Sequence, residues 1–165
     1  MDKHYLSSLF TPRSIAVFRS PPPPDASAAE TAGSVTTWLG CEPFNGPVHE
    51  ADPDSGQGLG ELGDTATDLA IIQVPAARLS DTVDLAGRMN CRAALVLGSG
   101  VDAATAAQAQ AQARHHGMSL LGPNSMGIQV PRLHLNASRL GPMAAPGPIA
   151  LVSQSGALTA SILDW

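Results

Sequence analysis

The sequence predicts a doubly wound α/β fold on a parallel sheet. Three observations carry that prediction. Short runs rich in Val, Ile, Leu and Ala recur between residues 14 and 121, helical patterns separate them, and turn residues follow most of the runs. Parallel strands buried on both faces read as continuous apolar runs, and helices between them supply right-handed crossovers.

Taken in order, Ser14–Phe18 (SIAVF) is the first strand, and Ala29–Leu39 places Ala32, Val35 and Trp38 or Leu39 on one helical face. Pro47–Ala51 is a weaker second strand. Asp68–Val74 (DLAIIQV) is a third, ended by Pro75, and Leu79, Val83, Ala86 and Met89 follow at helical spacing. Arg92–Leu97 (RAALVL) is the fourth strand. The Ala/Gln-rich stretch from Val101 to His116 has high helix propensity, with Asp102 to cap its start and Gly117 to end it. His115 and His116 then fall in the last turn, where positive character suits the helix dipole. Met118–Leu121 is the fifth strand and runs into Gly122-Pro123-Asn124.

Two segments break this rhythm. Four prolines in Ser20–Ser27 exclude helix and central strand, because proline lacks the N–H and fixes φ. Pro131–Pro148 is rich in Pro and Gly and reads as a linker. Ile149–Val152 reads as a new strand, Ser153–Gly156 as a turn, and a helix starts at Ala157. The expected organisation is a first domain over residues 1–130, a linker over 131–148, and the truncated start of a second α/β domain over 149–165.

Composition narrows the function. The 165 residues are 44% hydrophobic and only 14% charged, which fits a compact fold rather than a disordered chain. A formal charge of −5 argues against nucleic-acid or anionic-membrane partners. An anionic ligand would therefore need local help from backbone N–H groups, helix N-termini or single arginines. Cys41 and Cys91 form no CxxC, the five histidines show no metal-ligand spacing, and no signal peptide or membrane-length run is present, so a cytoplasmic location is expected. Neither GxGxxG after the first strand nor GxxxxGK[ST] occurs, which counts against an NAD-dependent oxidoreductase and a Walker-type NTPase. What remains is a set of loops at strand C-termini, where open parallel sheets bind ligands: Arg19–Ser27, Pro75–Ala77, Gly98–Val101 and Gly122–Gly127.

The blocks Leu9–Val17 (LFTPRSIAV), Asp68–Pro75 (DLAIIQVP), Leu120–Gly127 (LLGPNSMG), Leu135–Ser138 (LNAS), Pro146–Leu158 (PGPIALVSQSGAL) and Ile162–Trp165 occur in this order along the chain. In that order they resemble the NDP-forming acyl-CoA synthetases, relatives of the succinyl-CoA synthetase α subunit. That group includes bacterial lysine acetyltransferases fused to a GNAT domain. The resemblance implies a Rossmann-like domain that binds coenzyme A or acetyl-CoA through Arg19, Ser20, Val74, Pro75, Ser99, Gly100, Asn124 and Ser125, followed by the start of a flavodoxin-like domain. It also implies a phosphate site at Ser153, Ser155 and Gly156, with the remaining domains of a parent protein as partners. No catalytic residue is implied, since the family's phosphorylated histidine lies beyond this stretch.

Two departures keep a second reading open. Where the family has a Gly-Ala-Ser turn after the first strand, this chain has Arg19, Ser20 and Pro21. Arg19 either obstructs backbone approach or pairs with a phosphate itself. Where the family has Asn-Pro and then a basic residue after the second strand, Asp52-Pro53-Asp54 sets two carboxylates, where the resemblance implies a cation for a CoA phosphate. The alternative is a degenerate domain with a scaffold or regulatory role.

Overall fold

In a computed structural model of the chain, residues 4–20, 44–62, 67–98 and 100–164 are described. The helix expected over Ala29–Leu39, most of the proline run, Cys41, Ser99 and Trp165 lie outside them. By its internal contacts the chain forms two units, residues 1–25 with 46–125, and residues 26–45 with 126–165.

The first unit contains α1 (Ser7–Phe10), β1 (Ile15–Arg19), β2 (Val48–Ala51), α2 (Leu59–Leu62), β3 (Leu69–Gln73), α3 (Leu79–Arg88), β4 (Ala93–Leu97), α4 (Ala103–His115) and β5 (Ser119–Ser125). The five strands are parallel, in the order β2-β1-β3-β4-β5. The chain steps outward from β1 to β2 and then crosses back to β3, so the topological switch point lies between β1 and β3. This is the Rossmann-like α/β fold that the sequence predicts.

Its core explains the apolar runs. Ile15 to Phe18, Leu69 to Ile72 and Ala93 to Leu97 are all buried, whichever face of the sheet they point to. On one face, Ala16, Phe18, Ala70, Ile72, Ala94 and Val96 share a cluster with Leu79, Val83 and Ala86 of α3 and Ala109 and Ala113 of α4. Each large side chain buried this way contributes about 1.5–3 kcal/mol. α4 buries only the two alanines, four positions apart, so small residues set its contact face.

Both long helices stop in the same way. Gly117 (φ +64°) ends α4, with Gly117 N–H donating to Arg114 and Met118 N–H to Ala113. Asn90 (φ +59°) ends α3, with Asn90 N–H donating to Gly87 and Cys91 N–H to Ala86. These are paired C-terminal caps closed by a left-handed residue. At the α4 start, Asp102 accepts from Thr105 N–H at 2.9 Å, the cap expected from the sequence. His115 closes α4 as expected, but His116 does more than meet the dipole. Its Nε2 donates to Asp84 of α3 at 2.8 Å and ties the two helices together.

The second unit holds an antiparallel hairpin, β6 (Gly127–Val130) and β7 (Leu135–Ser138), and helix α5 (Gly156–Asp164). This corrects the expectation of a plain linker over 131–148. A 3₁₀ turn at Pro131–Leu133 and left-handed His134 (φ +51°) reverse the chain, and Leu135 to Ser138 are buried. Polar side chains, Asn136 buried and Gln129 half-buried, then fold the following loop back onto the hairpin. Asn136 donates to Gly141 O at 2.9 Å, and Gln129 donates to Pro142 O at 3.2 Å.

A second correction concerns Ile149–Val152, which is not a strand. A strand requires a hydrogen-bonded neighbour, and none pairs with it among the described residues. Ile149 and Val152 stand 90% and 93% exposed.

Candidate functional site

The strand register brings the ends of the sheet level. Phe18 lies beside Ala51, Arg19 beside Gln73, and Leu97 beside Ser125. The ends of β1 to β5 therefore lie on one edge, the C-terminal edge of the parallel sheet. Arg19, Ser20, Val74, Pro75, Gly100, Asn124 and Ser125 all fall there. Ser99 lies outside the described residues.

On the β2 side of that edge is a network of ions. The Arg19 guanidinium reaches Glu50 Oε2 of β2 through both Nε (3.1 Å) and Nη2 (2.9 Å). Ser20 Oγ donates to Asp54 at 2.8 Å. Asp54 also lies 2.7 Å from Arg78 Nε, in the 3₁₀ turn Ala76–Arg78 after β3. Arg78 further approaches Asp81 at 3.8 Å. Asp52 is engaged differently, because its carboxylate closes its own turn. It accepts from Ser55 Oγ at 2.6 Å and from Asp54 N–H at 2.8 Å. These two bonds, the serine's first, hold the Asp52 carboxyl below the ordinary carboxylate range.

On the β4–β5 side, Asn124 is the organising residue. Its amide donates to Val101 O at 3.1 Å and accepts from Val101 N–H at 3.2 Å, which fixes Val101 against the end of β5. Asn124 has φ +61°, a left-handed conformation that asparagine adopts more readily than most residues. Gly122 precedes it at φ +98°, where a Cβ would meet Val96 O at 2.7 Å. The glycine lets β5 run close along β4 before turning outward.

The second unit contains the remaining expected residues. Ser155 caps α5, its hydroxyl accepting from Leu158 N–H at 3.3 Å, and Ser153 Oγ accepts from Ser155 N–H at 3.0 Å. At Gly156 a Cβ would meet the Met126 side chain at 2.5 Å. In this structure the serines serve the turn and the helix start.

Residues that the sequence did not single out are Glu50 and Arg78. Arg78 stands three residues past Pro75, a spacing that carries no signal by itself. Glu50 becomes relevant only through the β1–β2 register.

At the opposite, N-terminal edge, His4, Tyr5, Asn90, Cys91, Arg92 and His116 line a hollow of about 500 Å³. Two of its titratable groups are engaged or buried. His116 is bonded to Asp84, and burial pushes the Cys91 thiol up to about 12, so it carries no thiolate near neutrality. Among the described residues no group of His, Cys, Asp and Glu has the arrangement of a metal site, and no helix is long and apolar enough to cross a membrane.

Comparison with known proteins gives the chain a family. The sequence model described as CoA binding domain matches residues 26–131. An acetate–CoA ligase (ADP-forming) of Archaeoglobus fulgidus is 30% identical over 97% of this chain and 24% of its own length. The α subunit of an acetate–CoA ligase (ADP-forming) of Pyrococcus furiosus is 34% identical over 59% of this chain and 22% of its own length. Among solved structures, the dinucleotide-forming acetyl-coenzyme A synthetase 1 of Ca. Korarchaeum cryptofilum, in complex with phosphate and ADP, superposes with a TM-score of 0.77. It is 29% identical over 96% of this chain and 36% of that one. The chain thus spans between 22% and 36% of the length of these relatives.

Proposed function

The chain belongs to the family of CoA-binding domains related to NDP-forming acyl-CoA synthetases, and from that premise we propose that it binds CoA or acetyl-CoA across the C-terminal edge of its parallel sheet. The observation that carries the proposal is the convergence of the C-terminal ends of β1, β3, β4 and β5 on that edge, beside a switch point between β1 and β3. In this reading Arg19, Ser20, Val74, Pro75, Gly100, Asn124 and Ser125 line the ligand, Ser99 among them by its position in the loop. Asn124 acts through Val101 by holding it against the end of β5.

The relatives also support a reading of the parent protein. We assign the domain to a larger acyl-CoA synthetase-like protein and give it no catalytic residue of its own. The three relatives named above carry ligase or synthetase names, which favours that parent over an acetyltransferase fused to a GNAT domain. Residues 1–130 form the CoA-binding domain in this assignment, and 149 onward begins a second α/β domain. Its exposed Ile149, Val152 and Leu158 then face other parts of the longer protein. The Ser153–Gly156 turn is the candidate for a phosphate there, because a helix start offers N–H groups and a positive dipole end.

One observation favours the scaffold alternative: Glu50 and Asp54 already occupy both arginines at the edge. Calorimetric titration of the chain with CoA, acetyl-CoA and NAD separates the two readings. Micromolar binding of CoA or acetyl-CoA, with no heat from NAD, is expected. A folded sample that gives no heat with any of the three would leave the scaffold role.

A further inference from the structure

We propose that Arg19 and Arg78 form the phosphate-binding pair of this domain, and that Glu50 and Asp54 hold that pair in the ligand-free chain, so that a phosphoryl group of CoA binds by displacing two carboxylates. The proposal rests on the CoA-binding reading above and adds to it which residues take the anion and what the anion must displace.

The placement comes first. Arg19 ends β1 and Arg78 follows β3, and these neighbouring strands flank the switch point. Both cations therefore stand where a ligand crosses the sheet edge. A guanidinium presents the same fork of N–H donors to a carboxylate and to a phosphate, so each carboxylate contact marks a place that a phosphate oxygen fits.

The strength of the present contacts comes second. Arg19 and Glu50 are 42% and 47% exposed, and Arg78 and Asp54 are 42% each. Ion pairs so open to water are held loosely and exchange readily. Glu50 meets Arg19 through a single oxygen, not as a two-oxygen fork. Arg78 Nε is buried and close to Asp54, yet it makes no aligned hydrogen bond among the described residues. A buried N–H without an aligned acceptor is uncommon in a finished structure. A phosphate with more oxygens to offer satisfies it better. Ser20 Oγ, which now donates to Asp54, is a further donor released by the same displacement.

The carboxylates also set a threshold. With Asp81 at 3.8 Å from Arg78 and Asp52 near the same guanidinium, four carboxylates face two guanidiniums and the edge is net acidic. A phosphoryl group arriving without displacing them meets like charge at short range. Asp52 is not among the displaced groups, since its carboxylate is closed into its own turn and acts on Arg78 only through its charge.

The test is calorimetric titration of the full chain with CoA and with 3′-dephospho-CoA. It uses the wild type, the Glu50→Gln/Asp54→Asn double variant, and that double variant with Arg78→Ala added, each checked for folding by circular dichroism. The double variant is expected to bind CoA roughly tenfold more tightly, and Arg78→Ala to erase the gain. A gain with CoA alone assigns the 3′-phosphate to the arginine pair, and a gain with both ligands assigns the diphosphate. If wild type and double variant bind CoA within twofold of each other, the displacement is wrong while the CoA-binding reading stands. If no folded variant binds CoA, both fall.

Discussion

The two ends of the five-stranded sheet carry the same chemistry in different surroundings. At the N-terminal edge, Arg13 meets Asp68 through Nε at 3.2 Å and through its backbone N–H at 2.9 Å. The Asp68 side chain is only 8% exposed, and Asp68 N–H donates to Ser14 Oγ at 3.1 Å. At the C-terminal edge, Arg19–Glu50 and Arg78–Asp54 are open to water and, among the described residues, contain no backbone donor. The difference lies in what a new anion would have to break. Removing Asp68 strips an acceptor from a backbone N–H in a nearly closed site, whereas removing Glu50 frees an arginine that water can solvate at once. One edge is built to hold the strands in place, and the other is left able to change partners.

The sharpest way to break the comparison is at Asp68. Asp68→Ala is expected to cost about 2–3 kcal/mol in urea unfolding, because it leaves donors of Arg13 unsatisfied. Next comes Gly87→Ala, at about 1–3 kcal/mol, since the added Cβ would overlap the His116 ring packed against α3. A thermal melt reads that effect, and an unchanged midpoint would mean the α3–α4 contact is looser than its geometry implies.

A smaller, pH-dependent effect follows from Asp84. The hydrogen bond from His116, then the charge of Arg88, hold its carboxyl below the ordinary 3.8 against the opposing effect of burial. A carboxyl lowered on folding stabilises the fold above its unfolded value and loses that contribution as pH falls through its folded value. Wild type should therefore lose more stability than Asp84→Asn on acidification below about pH 4. Parallel acid curves for the two would remove the linkage. The smallest effect is expected from Glu50→Gln, within about 0.5 kcal/mol by urea unfolding. A cost comparable to that of Asp68→Ala would erase the distinction between the two edges.

Much of the fold was legible because its signals are local. The stretches Ile15–Phe18 and Leu69–Ile72 announce doubly buried strands, and Asp102 and Gly117 mark the ends of α4 within a few residues of the contacts they make. The β6–β7 hairpin was not legible. Gln129, Asn136 and Ser138 look like loop residues, and Pro131 interrupts the run, yet in place the polar groups satisfy one another and the loop after them. Ile149–Val152 misled in the opposite direction, since an apolar run becomes a strand only where a neighbour pairs with it. The candidate edge was visible as four loops, but its ion network was not. Arg19 and Glu50 lie 31 residues apart, and only the parallel register of β1 and β2 brings them together.

The most direct test of the central claim is amide chemical-shift mapping of the labelled chain during titration with CoA. The expected result is saturable shifts at Ser20, Ala76, Gly100 and Asn124, with Ser14, Asp68 and Asn90 at the other edge unmoved. Shifts confined to the N-terminal edge, or none at saturating CoA, would contradict it.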